Sequence, residues 1–311
     1  MNELPYIYIC IPAYKRIQFL QRLLNSIAIQ TYTRYEVIVS DDSPDGSVEN
    51  MINNYTGISK LHYYRNPVAL GTPQNWNESI SKAGGVWIKL MHDDDWFASP
   101  TSLAEFASAT RSGKDFIFSA YENVNESNGA VEEVRASRLD RRLLDSPITL
   151  LARNLVGPPS VTLYKKTTLE FDKRMKWRVD IDFYIHYLKD HSFEYIDKPL
   201  IKVGISPEQV TQSSFLVPEV EIPENFLLLE KVGVRQLRNW LAYDSWWRLL
   251  RNLNIRSTDQ IRTAGFSAEI PAPIKAMLKD QLHLSPRLLK WGVFSKICML
   301  MSYFRRYNMM K

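Results

Sequence analysis

Two rhythms of apolar residues alternate along the first hundred positions. Tyr6 to Pro12 is a short, β-branched and mostly apolar run, and Phe19, Leu20, Leu23, Leu24 and Ile27 then return at helical spacing. Tyr35 to Ser40 predicts a second strand, Ser47 to Tyr55 a helix, and Lys60 to Tyr64 a third strand. Pro67 and Gly71 punctuate a loop from Asn66 to Thr72. Pro73 to Ala83 suits a helix stopped by Gly84-Gly85, and Val86 to Met91 reads as a fourth, buried strand. Thr101 to Ser112 is again helical, and Asp115 to Ala120 returns to strand.

Such alternation predicts an α/β fold, a Rossmann-like, mostly parallel sheet flanked by helices on both faces. Ligands in such sheets bind at the carboxyl ends of the strands. Those ends carry Pro12-Ala13-Tyr14, Asp41-Asp42 and Asp93-Asp94-Asp95, so three separate segments bring polar groups to one rim. After about residue 205 the alternation fades. Asn225 to Asn252 is helical in pattern, with Trp240, Tyr243, Trp246, Trp247 and Leu250 crowding one region, the pattern of a core rather than of an acceptor platform. A helical C-terminal extension is the expectation.

The run His92-Asp93-Asp94-Asp95-Trp96 carries the densest chemistry. Like charges at the mouth of a buried strand repel and are costly to desolvate, so something must neutralise them. A divalent cation is the first candidate, Mg²⁺ or Mn²⁺, because hard oxygen ligands suit both and leave positions open for phosphate. The alternative is a solvated acidic turn ahead of the helix that follows Ser99-Pro100. No G-x-G-x-x-G follows the first strand and no G-x-x-x-x-G-K-[ST] loop occurs, which removes the usual glycine-rich phosphate cradles.

Composition narrows the class. Among 311 residues, 45% are hydrophobic and 23% charged, ordinary for a globular chain of one large or two smaller domains. Cys10 and Cys298 are too few for a disulfide framework or a Cys-based zinc site. The opening residues lack the basic-then-apolar plan of a signal peptide, so a cytoplasmic location is expected. Six basic and no acidic residues fall between Pro286 and Lys311, more than the whole net charge of +5. The remainder is close to neutral, and a nucleic-acid partner is not expected. Trp291 to Phe304 is apolar but too short to span a bilayer. With Lys290, Arg305 and Arg306 around it, the stretch suits a helix lying in an anionic membrane interface, the alternative being a helix docked on the body or on another subunit of a homo-oligomer.

Several segments together resemble glycosyltransferase family 2. Ile9-Cys10-Ile11-Pro12-Ala13-Tyr14-Lys15-Arg16 resembles its opening strand and Pro-x-Tyr-Asn/Lys-Arg. Gln30-Thr31-Tyr32, Glu36 to Ser43, Asn66, Gly71, Asn75-Trp76-Asn77 and Ala83-Gly84-Gly85 follow in the family's order, and His92-Asp93-Asp94-Asp95 matches its Asp-x-Asp signature. The likeness covers roughly residues 5 to 200. It implies the GT-A fold and an inverting, metal-dependent transfer from a nucleotide-diphospho-sugar. By this resemblance Pro12, Tyr14, Arg16, Asp41, Asp42, Asn75, Asp93 and Asp94 would border the donor. Asp41 or Asp42 would take the base or ribose, the other being free to shape the turn with Ser43-Pro44-Asp45-Gly46, and Asp95 with Asp93 would hold the Mn²⁺ or Mg²⁺.

The general base is implied in the same way. Phe171-Asp172 leads to Val179-Asp180-Ile181-Asp182, which aligns Asp180 with the family's catalytic carboxylate, unless Asp180 and Asp182 serve only to cap a helix. The pattern departs in three places: Asp41-Asp42-Ser43-Pro44-Asp45 is one residue short, Val179 replaces a Glu, and Trp76 stands where many members carry Arg. Arg65 or Lys89 are the candidates to replace that charge. Gly204 to Thr211 resembles the family's acceptor loop; His62, His186 and His191 read as structural. The implied organisation is a catalytic GT-A domain over 1–205, divided into a nucleotide half (1–120) and an acceptor half (121–205), then a helical subdomain (206–285) and a basic amphipathic tail (286–311). The implied acceptor is a lipid-linked glycan of bacterial surface-polysaccharide assembly, at the inner face of the membrane. A sugar-nucleotide-binding protein without catalysis and a nucleotidyltransferase remain as alternatives.

Overall fold

The computed structural model describes residues 4–206 and 214–310. Two compact units emerge, one from Met1–Arg141, Val156–Lys173 and His186–Glu208, the other from Arg142–Leu155, Arg174–Ile185 and Gln209–Lys311.

The first unit holds the sheet. Its elements begin with β1 (Ile7–Ala13), α1 (Ile17–Ala28), β2 (Tyr35–Asp41), α2 (Ser47–Asn53), β3 (Leu61–Arg65), α3 (Gln74–Ser81) and β4 (Trp87–Leu90), in the predicted order. β5 (Trp96–Phe97), α4 (Ser102–Ala109), β6 (Phe116–Asn125), β7 (Val131–Val134), β8 (Thr162–Lys165) and β9 (Phe193–Ile205) complete it. Ile7, Ile9, Ile11, Val37 and Val39 on one face and Cys10 and Ile38 on the other are all sealed from water, which is why these strands read as unbroken apolar runs. Leu20, Leu23, Leu24 and Ile27 form the buried stripe of α1, each contributing about 1.5–3 kcal/mol of transfer free energy.

Strand order is β3-β2-β1-β4-β8-β6-β9-β5, with β7 beside β6. β3, β2, β1 and β4 are mutually parallel, with Ile9 opposite both Val37 and Lys89. Beyond β4 the sheet is mixed: β8 is antiparallel to β4 and β6, whereas β6 and β9 are parallel, with a register shift around Ala120. The shared direction of β1, β2 and β4 puts their carboxyl ends on one edge.

The second unit is helical. It contains α5 (Arg138–Leu143) in part, the opening of α6 (Val179–Asp190), then α7 (Pro218–Val232), α8 (Trp240–Asn252), α9 (Thr258–Thr263), α10 (Ala272–Leu282), α11 (Pro286–Leu289) and α12 (Gly292–Arg306). The helical stretch expected over Asn225 to Asn252 is made of two helices. Gly233 sits at φ 88° and ends α7, and Asn239 restarts the chain by accepting the N–H groups of Leu241 and Ala242 through its side chain. Trp246, Trp247 and Tyr243 fill the core as the spacing suggested.

The basic tail is part of that core on one side. Met299 and Tyr303 of α12 are buried, Trp247 donates to Ser295 Oγ at 3.0 Å, and Asp280 pairs with Arg306 at 2.7 Å. Its opposite side carries exposed apolar residues: Val293 and Phe304 are 78% and 72% exposed, with Ile297 and Met301 between them. Cys298 on this helix is half-buried, whereas Cys10 is sealed inside β1. No helix among the described residues is long and apolar enough to cross a membrane.

Candidate active site

The edge where β1, β2 and β4 end gathers the first unit's polar groups. Asp41 closes the turn after β2: its Oδ1 accepts from Ser43 N at 2.8 Å and its Oδ2 from the Tyr63 hydroxyl at 2.7 Å. Asp42 instead organises the loop after β3, accepting from Asn66 Nδ2 at 2.8 Å, Leu70 N at 3.0 Å and Gly71 N at 2.7 Å. Asn75, the second residue of α3, is buried and ties the strand ends together by donating to Ala13 O and Ser40 O. Pro12 lies near the end of β1, and the Tyr14 ring beyond it is 49% exposed on this rim.

Beyond β4 the chain turns and buries all three aspartates: Asp93, Asp94 and Asp95 are 3%, 8% and 2% exposed. Arg16 meets two of them. Lys15 in the left-handed region (φ 63°) turns the chain between β1 and α1, and the next residue sends one guanidinium nitrogen to Asp93 and the other to Asp94 Oδ2 at 2.8 Å. A fork of this kind satisfies carboxylates with two directed, charge-assisted bonds. Burial nevertheless pushes the Asp93 carboxyl up to about 7 against the pull of Arg16. Burial also holds Asp95 well above the usual carboxylate range, with the neighbouring Asp94 charge adding to it.

His92 joins this group. One ligand atom each from His92, Asp94 and Asp95 lies within 4.8 Å of the others, and the His92 Nε2 is buried without a hydrogen-bond partner. The nitrogen that faces Asp95 is Nδ1, 3.9 Å from its Oδ2, and an imidazole beside two carboxylates is a donor set that fits a divalent transition cation. Asp93, the expected companion of Asp95, is not a member of this cluster. The His92 ring packs 4.6 Å from Trp76, and burial lowers its pKa to about 4, favouring the neutral, ligating form. Asp95 is held by the N–H of Gly204 at 3.2 Å, and the Asp94 carbonyl accepts from Arg22 at 2.8 Å.

One expectation about charge is corrected. Lys89 does not replace the missing arginine: its ammonium points into the protein and donates to the carbonyls of Ser160 and, at 3.1 Å, Thr162. Arg65 is engaged with Pro44 O at 3.2 Å and with Glu49 at 3.5 Å. The cation that pairs with the carboxylates of the acidic run is Arg16, while Arg22 meets only the Asp94 carbonyl. His92 was visible in the sequence as the residue opening that run, but nothing there signalled its orphaned nitrogen. His191 pairs with Asp115 at 3.0 Å and His62 with Glu36 at 3.7 Å, in keeping with structural roles. Of the expected acceptor loop, residues 207–211 lie outside the described residues.

In the second unit, Asp180 is the second residue of α6. Its Oδ2 accepts from Asn154 Nδ2 at 2.7 Å and its Oδ1 from Ile181 N at 2.8 Å. Burial pushes its pKa up to about 6, with the Ile181 N–H and the Arg178 charge pulling the other way. A carboxylate poised there is suited to accept a proton near neutral pH. Asp182, two residues on, is buried and paired with Lys231, so it acts as a structural anchor of the helix start.

Comparison with known proteins gives consistent results. Residues 8–166 match the family described as Glycosyl transferase family 2. An uncharacterised glycosyltransferase of Rickettsia typhi is 25% identical over 217 residues, covering 68% of this chain and 67% of that protein. The Escherichia coli enzyme WfgD, a UDP-Glc:alpha-D-GlcNAc-diphosphoundecaprenol beta-1,3-glucosyltransferase, is 20% identical over 67% of this chain and 80% of its own length. Among solved structures, S. aureus TarS 1-349 in complex with UDP-GlcNAc superposes with a TM-score of 0.66 at 16% identity, over 97% of this chain and 92% of that one. That likeness shows the GT-A fold.

Proposed function

The chain belongs to glycosyltransferase family 2, and from that premise we propose that it moves a sugar, with inversion, from a nucleotide-diphospho-sugar to a hydroxyl of a lipid-linked glycan. Glycosyl transfer itself follows from the family; donor, acceptor and metal are our reading. The observation that carries it is the set of half-buried His92 and buried Asp94 and Asp95 at the carboxyl edge of parallel strands, with Arg16 beside it.

His92, Asp94 and Asp95 would hold a divalent cation, Mn²⁺ in preference to Mg²⁺ because an imidazole is among the donors. Such a cation supplies Lewis acidity toward the diphosphate leaving group. Pro12, Tyr14, Asp41, Asp42 and Asn75 shape the nucleoside end of the donor site, Asp42 through the loop it organises and Tyr14 through its open ring. Asp93 orients Arg16. Asp180 takes the proton of the acceptor hydroxyl as its oxygen attacks the anomeric carbon, and the bond to the diphosphate oxygen breaks in the same step.

A lipid-linked acceptor is supported by the diphosphoundecaprenol substrate in the name of WfgD. It is also supported by the outward apolar side of α12, with Arg287 and Lys290 near its start. Work at the inner face of a bacterial membrane, in O-antigen or capsule-type polysaccharide assembly, follows from that reading. The test is release of nucleoside diphosphate from UDP-, GDP- and dTDP-sugars in the presence of undecaprenyl-diphosphate-linked saccharides and Mn²⁺. Acceptor-dependent release with one donor is expected; no release from any donor, with metal present, rejects the proposal.

A further inference from the structure

Asp94 is claimed twice. Its Oδ2 accepts from Arg16 Nη1 at 2.8 Å, and the same carboxylate is a corner of the cluster with His92 and Asp95. A cation in that cluster and the guanidinium of Arg16 therefore draw on one carboxylate. We infer that Arg16 is a tethered counter-ion that holds Asp94 until a divalent cation arrives together with an anionic diphosphate, which takes up the guanidinium. Metal and nucleotide then bind as a coupled pair. This rests on the donor reading given above.

Three features support the exchange. The Arg16 side chain is 32% exposed while those of Asp93 and Asp94 are 4% and 11% exposed, so the guanidinium has an open side and the carboxylates do not. Arg16 is the residue immediately before α1, next to Lys15 in the left-handed region, so its side chain swings from the edge of the sheet without disturbing a helix. Charge balance gives the coupling its sign. A divalent cation entering alone competes with Arg16 for Asp94, and pulling the guanidinium away leaves the buried Asp93 without its charged partner. A diphosphate entering alone meets three acidic side chains. Entering together, the two ligands cancel each other's charge and offer Arg16 phosphate oxygens that match its fork.

The experiment measures Mn²⁺ binding to the full chain by electron paramagnetic resonance, first alone and then with saturating UDP, GDP or dTDP. Wild type should bind Mn²⁺ weakly alone and about tenfold more tightly with the nucleotide it accepts. Arg16→Gln should bind Mn²⁺ alone about tenfold more tightly than wild type, and the further gain from nucleotide should largely vanish. Arg16→Lys keeps the charge without the fork and should fall between the two, which separates the effect from misfolding. Unchanged or weaker Mn²⁺ binding by Arg16→Gln overturns the inference. If no nucleotide binds either protein while Arg16→Gln still takes Mn²⁺ more tightly, the donor reading fails and the counter-ion role stands.

Discussion

Both carboxylate oxygens of Glu224 accept the backbone N–H of Trp177, at 3.2 and 2.9 Å. The same side chain takes the N–H of Lys176 at 2.7 Å and of Arg178 at 2.8 Å, so one buried carboxylate on α7 gathers three successive amides just ahead of the helix that begins with Val179 and Asp180. The charge satisfies the amides of the turn that leads into the helix and holds that turn in place beside the helix N-terminus, where negative charge is favourable.

Glu224→Gln should therefore cost about 2 kcal/mol, the size expected when charge-assisted bonds to backbone are weakened, read as a lower urea midpoint. It should also lower kcat more than the KM for donor, because the change reaches Asp180 through the helix start and leaves the first unit's residues untouched. Equal loss in both parameters would argue for general unfolding instead.

The pH dependence follows from Asp180. Its pKa near 6 means the carboxyl is protonated, and unable to accept a proton, as pH falls through that value. Transfer should decline on the acid side with a midpoint near 6, and Asp180→Asn should abolish turnover while retaining nucleotide binding. Linkage has a definite sign. A folded-state pKa raised above the ordinary carboxylate value makes the fold less stable as pH rises from the ordinary value 3.8 to about 6. Asp180→Asn should remove that part of the slope in thermal melts recorded across this range.

The nucleotide-side strands were legible because their physics is local. Burial on both faces demands unbroken apolar runs, and α1 must show one stripe, so Ile7 to Leu90 could be read within a residue or two of its true boundaries. The break at Gly233 is not legible in the pattern, since a lone glycine between helical stretches does not show that it takes the positive φ that ends the preceding helix. The fork between Arg16 and Asp93 spans 77 positions and could not be seen without the fold. The same holds for Lys89, whose place in an apolar strand does not reveal that its ammonium turns to backbone carbonyls.

Gly204 should tolerate no side chain. A Cβ built there would lie 2.6 Å from the Asp94 carbonyl and 2.7 Å from Glu126 Oε1. Gly204→Ala should destabilise by about 1–3 kcal/mol through overpacking, and it should weaken Mn²⁺ binding because the Gly204 N–H anchors Asp95. Calorimetric melts and a metal titration read the two effects separately.

The outer side of α12 gives a fourth prediction. Replacing Val293, Ile297 and Phe304 together by Ser should leave the melting temperature nearly unchanged, since all three are exposed. Co-sedimentation with phosphatidylglycerol-containing vesicles should fall by about tenfold or more from the apolar area removed. Wild-type binding should weaken with added salt. Sedimentation of the variant equal to wild type would detach this helix from any lipid role.

The two cysteines differ in a way that serves the experimenter. Cys10 is sealed in β1 and its thiol is held far toward the protonated form by burial, so it is closed to alkylating reagents in the folded protein. Cys298 is half-open on α12, one position from Ile297. A maleimide fluorophore should accordingly label the native chain at a single point, and its emission colour would register whether that surface is wet or in contact with acyl chains, with no engineered handle required.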